Sequence, residues 1–230
     1  MPEEATARAI VNKPITMEML GSLRKHFYHS RDAQTMFDEQ LAIEEILKYK
    51  YAGGQSIVDT TSIGIARDPL ALARISRATG LNIIMGGSYY VIDSHPEDMS
   101  YRTEDSITEQ IVKDVTIGVG DTGVKAGVIG EIGNYYPIGE NETKILRASA
   151  QAQVETGAPI LIHPGIHPDS PLQILKVLTD NGASANNIIF GHLDNIRPMS
   201  AIKELGSSGC YLEYDRFGAE DTSFDRIYKT

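Results

Sequence analysis

The sequence predicts an α/β fold, a parallel barrel of the TIM (β/α)8 type, and three observations support this. Short apolar segments alternate with segments of helical spacing, as in parallel strands joined by right-handed crossover helices. Three of the apolar segments end in side chains that can bind a metal. No glycine-rich phosphate loop follows the first apolar segment, which disfavours a nucleotide-binding open sheet. We therefore predict a barrel rather than an open doubly wound sheet.

The six predicted strands are short and mostly apolar throughout, as expected for strands that are covered on both faces. They lie at residues 55–61, 81–87, 124–133, 158–165, 187–194 and 209–215.

The predicted helices alternate with these strands and carry several end signals. One begins with Asp68 at the N-cap and Pro69 at the first helical position, and it ends in glycine. Another opens with Ser106 and Glu109 in the spacing of a capping box. The predicted helices lie at residues 32–52, 68–80, 106–119, 141–157, 170–182 and 200–209.

The strand count is two short of a closed barrel, which has eight. Residues 1–31 contain no convincing strand, and the polar segment 215–230 is short. We therefore predict that strands 1 and 8 are missing and that residues 1–230 form one partial barrel domain. We interpret the sequence as a truncated or exon-skipped product of a longer gene.

The composition limits the possible partners and location. A net charge of −10 argues against binding to nucleic acid or to an anionic membrane surface. No apolar run reaches the roughly 20 residues that span a bilayer, and the N-terminus lacks a secretory signal. A single cysteine fits a reducing compartment. We predict a cytoplasmic protein with a small-molecule substrate; the oligomeric state is not specified by the sequence.

The candidate catalytic and metal-binding residues are Glu131, His163 and His192, each near the end of a predicted strand. The first two are 32 residues apart and the last two 29 apart, about one strand and one helix each time. Because the C-terminal ends of parallel barrel strands converge on one face, we expect the three side chains to meet. Histidine and carboxylate ligands suit Zn²⁺ and similar divalent ions. A lone histidine at a strand end is more often structural, but three successive ligand-type residues favour a metal site.

Other polar and aromatic residues on the same face have two interpretations each. Asp194 is predicted to orient a ligand histidine, and Asp215 is either a polar pocket residue or a helix cap. Tyrosines and histidines in the loops either line a substrate pocket or pack against their neighbours. They are Tyr89, Tyr90, His95, Tyr135, Tyr136 and His167.

The motifs GEIG, HPG, GHLD and YLEYDRFG, in that order, resemble the phosphotriesterase family of the amidohydrolase superfamily, in particular its animal phosphotriesterase-related members. The segments 59–69 and 80–91 resemble the second and third strands of the same family, so the resemblance extends from about residue 11 to residue 220. It implies an amidohydrolase-type (β/α)8 barrel with two metal ions, usually zinc. A metal-bound hydroxide would attack a small ester, lactone, amide or phosphoester.

The resemblance also assigns ligand roles. Glu131 corresponds to the carboxylate that bridges the two metals, and His163 and His192 correspond to the ligands from strands 5 and 6. The family's His-x-His pair and its strand-8 aspartate have no match, and His26, His29 and Asp225 are poor substitutes. A complete member would hold two Zn²⁺ ions, whereas we expect one or none in this chain.

Two functions are therefore left open. The first is a zinc-dependent hydrolase, and the alternative is a truncated, non-catalytic remnant that binds one zinc or none.

Overall fold

The computed structural model describes residues 8, 11–21, 23, 30–196 and 198–216. The chain divides into two compact units, Met1–Gly54 and Gln55–Thr230. The prediction of a single domain over residues 1–230 stays a prediction. The candidate residues His26, His29 and Asp225 lie outside the described residues.

The described part of the first unit contains one long helix, α1 (Glu39–Tyr51), capped by the side chain of Asp38. The sequence predicted this helix from residue 32. It begins later because Asp32–Gln34 form a separate 3-10 turn, after which Thr35 is extended.

The second unit contains a sheet of six parallel strands that lie side by side in sequence order. In a doubly wound open sheet the strand order reverses at the ligand-binding crevice. An uninterrupted order is that of a TIM barrel, so the fold-class prediction is confirmed. The described residues contain no further strand. The strands are β1 (Ser56–Asp59), β2 (Asn82–Gly86), β3 (Ala126–Gly133), β4 (Ile160–His163), β5 (Ile188–Phe190) and β6 (Tyr211–Leu212).

Five α-helices among the described residues of this unit connect successive strands, as the sequence predicted. The helix after β1 has the expected cap at Asp68, Pro69 in its first turn and Gly80 in the left-handed conformation at its end. The helices are α2 (Pro69–Thr79), α3 (Glu104–Thr116), α4 (Glu140–Thr156), α5 (Ser170–Asp180) and α6 (Met199–Ser207).

Helix α3 differs from its prediction at the N-terminus. It begins at Glu104, and the cap is Thr103, whose hydroxyl accepts from the Ser106 N–H at 3.1 Å. The capping box predicted at Ser106 and Glu109 is therefore wrong. Two overlapping cap signals lie in this segment. The earlier one also places Glu104 and Asp105 in the first turn, where the helix dipole stabilises negative charge.

The core lies between the sheet and its helices, and it orients the alternating strand residues. On β5, Ile188 and Phe190 are fully buried in this core. Because side chains alternate across a strand, Ile189 and Gly191 lie on the opposite face of the sheet. In a barrel, this face lines the interior. No helix of the described residues has the length and apolarity needed to cross a bilayer.

Candidate metal centre

Three neighbouring strands bring the predicted ligands to the same end of the sheet. Glu131 lies near the C-terminal end of β3, His163 is the last residue of β4, and His192 follows β5 by two residues. Their ligand atoms, one from each side chain, all lie within 4.8 Å of one another. The structure therefore brings together the three residues that the strand-end pattern singled out. That they bind a metal stays a prediction.

Two unusual backbone conformations direct Glu131 and His192 toward this point. The register of β3 is irregular beside Glu131. Gly130 has a φ of 141°, and a side chain there would collide with the carbonyl oxygen of Leu161. His192 has a left-handed φ of 57°, which is uncommon for a residue other than glycine and is often found at functional sites.

The donor set and its spacing fit a divalent metal ion. Glu131 Oε1 lies 3.0 Å from His192 Nε2 and 3.5 Å from His163 Nδ1. The two imidazole rings are 4.6 Å apart and nearly perpendicular, at 77°. The side chain of Glu131 is 15% exposed and those of the histidines 21% each, so all three are largely buried but still reach solvent. Two histidines and one carboxylate form a donor set of catalytic zinc sites, in which a further position is open.

The electrostatics of the three side chains keep Glu131 ionised. Burial alone would raise the pKa of the Glu131 carboxyl, but hydrogen bonds from His163 and His192, and their positive charges, hold this pKa at about 2. The hydrogen bond to Glu131 raises the pKa of the His192 imidazole, and burial opposes this effect. Glu131 is therefore a carboxylate at neutral pH, which is the form that binds a metal.

The second ring nitrogen of His192 faces a different carboxylate from the one predicted. Its Nδ1 lies 2.6 Å from Asp215 Oδ2. Asp194, which we expected beside a ligand histidine, instead accepts backbone N–H groups through its Oδ2, from Asp215 at 3.0 Å and from Arg216 at 3.2 Å. The prediction for Asp194 is thus corrected. Of the two interpretations of Asp215, the structure favours the pocket residue.

Tyr90 places a hydroxyl beside the ligand histidine of β4. Its oxygen lies 3.3 Å from His163 Nδ1 and 3.4 Å from Nε2. Burial, and then the negative charge of Glu131, raise the pKa of Tyr90 to about 12. The phenol therefore keeps its proton at neutral pH and can donate a hydrogen bond next to His163.

Glu213 is a residue of the site that the sequence analysis missed. A side chain built on Gly191 would lie 3.4 Å from Glu213 Oε2 and 3.7 Å from Glu131 Oε1, so both carboxylates border the same space. Burial, and then the charges of Asp215 and Glu131, raise the pKa of Glu213. A polar residue in the middle of a predicted strand was the available signal, because alternation places it on the inner face.

The remaining loop candidates pack mainly against neighbours. Tyr89 is fully buried, and its hydroxyl accepts from Arg102 at 2.8 Å. Tyr136 stacks on His167, with ring centres 3.9 Å apart. His95 Nε2 lies 2.8 Å from the Tyr90 carbonyl oxygen. These contacts favour the packing interpretation for Tyr89 and for His95.

Comparison with known proteins agrees with this geometry. The model of the phosphotriesterase family matches residues 6–228. The chain is 37% identical to a protein from Tetraodon nigroviridis named N-acetyltaurine hydrolase, over 95% of this chain and 63% of that protein. It thus spans less than two thirds of the length of that curated relative.

Solved structures show the same fold. A resiniferatoxin-binding protein from Rhodobacter sphaeroides superimposes with a TM-score of 0.88 at 33% identity, over 95% of this chain and 61% of that one. A mutant PTE-like lactonase from Deinococcus radiodurans gives a TM-score of 0.73 at 30% identity, over 83% of this chain and 64% of that one.

Proposed function

The chain belongs to the phosphotriesterase family. We propose that it carries the metal centre of a zinc-dependent hydrolase. The observation that carries the proposal is the convergence of Glu131, His163 and His192, whose ligand atoms lie within 4.8 Å of one another. We assign Zn²⁺ because two histidines and a carboxylate match catalytic zinc sites. When bound, such an ion polarises a carbonyl group and activates water for hydrolysis.

The substrate that we propose is a small N-acyl amine, cleaved at its amide bond. The relative named N-acetyltaurine hydrolase supports this choice, since N-acetyltaurine contains an amide. The solved PTE-like lactonase supports a wider class that includes cyclic esters. Amides, esters and lactones share an electrophilic carbonyl carbon, so a single arrangement of side chains can serve all of them.

The side chains around the centre have separate roles in this proposal. Glu131, His163 and His192 hold the ion. Tyr90, whose pKa of about 12 keeps its hydroxyl protonated, donates a hydrogen bond to the carbonyl oxygen of the substrate as negative charge develops there. Glu213 borders the same space as Glu131 and accepts a proton from the attacking water.

The alternative is a non-catalytic chain that binds one zinc or none. It is favoured by the absence of a His-x-His motif from the sequence. The ligand cluster among the described residues also has only three members. Turnover of a substrate distinguishes a hydrolase from a non-catalytic chain. The number of zinc ions bound per chain then distinguishes a chain that binds one zinc from a chain that binds none.

Titration of the metal-free chain with Zn²⁺ is expected to show one ion bound per chain. At a free concentration of 100 times the Kd, the bound ion should stabilise the fold by about 2.7 kcal/mol. Calorimetry and thermal unfolding measure the two quantities. The variant His163→Ala should neither bind zinc nor be stabilised by it. The exposed His167, which lies outside the cluster, provides the matched control His167→Ala. Absence of zinc binding by the unmodified chain would contradict the proposal.

Turnover is tested by incubating the zinc-loaded chain with N-acetyltaurine and measuring the amine that is released. Release that depends on zinc supports the hydrolase. Stoichiometric zinc without release of an amine from this or other N-acyl amines, and without ring opening of lactones, supports the non-catalytic alternative.

Tyr90→Phe is expected to lower kcat/KM by about 100-fold, because it removes one hydrogen-bond donor to the developing oxyanion. Zinc affinity should stay close to that of the unmodified chain, since the phenol is not among the ligands. Steady-state kinetics and zinc titration check the two parts. Tyr101→Phe is the matched control, because Tyr101 is 88% exposed. If kcat/KM of Tyr90→Phe equals that of the unmodified chain, Tyr90 does not take part in catalysis.

We also propose a cytoplasmic location and no nucleic-acid or membrane partner. The net charge of −10 and the single cysteine support these proposals. Cell fractionation and binding to anionic vesicles and to DNA test them.

A further inference from the structure

His192 has a carboxylate oxygen near each of its ring nitrogens. Its Nε2 lies 3.0 Å from Glu131 Oε1, at the proposed metal position. Its Nδ1 lies 2.6 Å from Asp215 Oδ2, on the opposite side of the ring. Nδ1 is buried and forms no aligned hydrogen bond with any described residue. An unpaired buried N–H is costly, and the Asp215 oxygen 2.6 Å away is an acceptor within reach of it.

The position of Asp215 is itself fixed by the turn that follows His192. Asp194 is nearly fully buried, at 4% exposed. Its Oδ2 accepts the N–H groups of Asp215 and Arg216. The N–H of Leu193 donates to the carbonyl oxygen of Glu213 at 3.2 Å. The segment that carries Asp215 is thus joined to the His192 turn by three hydrogen bonds, two to the Asp194 side chain and one between backbone groups.

We propose that Asp215 is a positioning residue that selects the Nδ1–H tautomer of His192 and directs its Nε2 to the metal, while Asp194 holds the backbone of Asp215. This inference rests on the proposed function, because it assumes that His192 is a ligand. A carboxylate that accepts the outer N–H of a ligand histidine fixes its tautomer and ring orientation and raises its basicity.

The two ligand histidines differ in this respect. His163 has the Tyr90 hydroxyl beside its ring, at 3.3 Å from Nδ1, rather than the second carboxylate that His192 has. Loss of Asp215 should therefore affect His192 and leave His163 unchanged. His163 serves as an internal reference within the same protein.

Zinc affinity of Asp215 variants tests the inference, by competition with a chromophoric chelator. Asp215→Ala is expected to raise the Kd for Zn²⁺ by about 10- to 100-fold. Asp215→Asn should recover part of this loss, because the amide oxygen can still accept the Nδ1–H. The control is Asp169→Ala, since Asp169 Oδ2 lies 3.8 Å from Nδ1 of His167, a histidine outside the cluster. This control should leave the Kd unchanged.

Imidazole ¹⁵N spectra of the zinc-loaded protein provide a second readout that is independent of activity. The unmodified chain should show a proton on His192 Nδ1 that is lost or broadened in Asp215→Ala, while the His163 signals stay in place. Should the alanine variant fail to fold, Asp215→Leu, which is similar in size and has no acceptor for the Nδ1–H, carries both measurements. Unchanged Kd and unchanged His192 signals in a folded variant would overturn this inference alone. Absence of zinc binding by the unmodified chain would overturn the proposed function and this inference together.

Discussion

Glu131→Ala is expected to prevent the proposed zinc binding and to lower kcat/KM for the proposed amide hydrolysis by at least about 10³-fold. The reason is that Glu131 is the central member of the cluster, with its Oε1 at 3.0 Å from His192 Nε2 and 3.5 Å from His163 Nδ1. Without this carboxylate two histidines remain, and two neutral ligands hold zinc weakly. Loss of metal polarisation removes several kcal/mol of transition-state stabilisation, and about 4 kcal/mol corresponds to 10³ in rate.

The measurement compares zinc content, kcat/KM and thermal unfolding of the variant and the unmodified chain. Glu155→Ala is the matched control, because Glu155 is exposed on α4. The control should keep full zinc content and full activity. Glu131→Gln distinguishes charge from shape, since an amide retains the volume but binds zinc poorly. A folded Glu131→Ala chain with full turnover would contradict the assignment of the centre.

The sheet and the three candidate ligands could be predicted from the sequence because both depend on short-range patterns and one geometric rule. Apolar runs that alternate with helical spacing identify parallel strands. The C-terminal ends of such strands lie on one face, so residues about 30 positions apart meet without any knowledge of their contacts. The convergence of Glu131, His163 and His192 follows from this rule once the strands are placed.

The contacts around those ligands could not be predicted in the same way. Asp194 is closer to His192 in sequence, yet Asp215 makes the contact, because the turn at Leu193–Asn195 directs Asp194 to the backbone beyond β6. Tyr90 reaches His163 across 73 positions of the chain. Such contacts depend on loop conformation, which includes the left-handed backbone of His192. No periodic pattern in the sequence encodes them.

One buried ion pair was also not predicted from the sequence. It joins three elements of the second unit. Arg67, in the loop after β1, has its Nη2 at 2.8 Å from Asp114 Oδ2 on α3, and these side chains are 7% and 0% exposed. Arg67 Nη1 also donates to the carbonyl oxygen of Gly86 at 3.2 Å, at the end of β2. Gln110 Nε2 donates to the other oxygen of Asp114 at 2.7 Å. Both charged groups are therefore paired and hydrogen-bonded.

Asp114→Ala is expected to lower the free energy of unfolding by about 3–5 kcal/mol, because it leaves the guanidinium of Arg67 buried without a partner. This is a large part of the roughly 5–15 kcal/mol that stabilises a typical domain. Urea unfolding measures it. The control Asp180→Ala removes the exposed Lys176–Asp180 pair, whose side chains are 75% and 58% exposed. It should change stability by about 0.5 kcal/mol or less.

The double variant Arg67→Met, Asp114→Leu separates two explanations of such a loss. If the penalty of Asp114→Ala arises from an uncompensated buried charge, apolar replacement of both partners should restore most of the stability, since a buried ion pair contributes little beyond well-packed apolar side chains. If it arises instead from the lost hydrogen bond from Gln110, the double variant, which also lacks the bond to Gly86, should be at least as unstable as the single one. We expect the first result, because the desolvated charge is the larger cost. If the free energy of unfolding of Asp114→Ala is within about 1 kcal/mol of that of the unmodified chain, the pair behaves as an exposed one and its burial is contradicted.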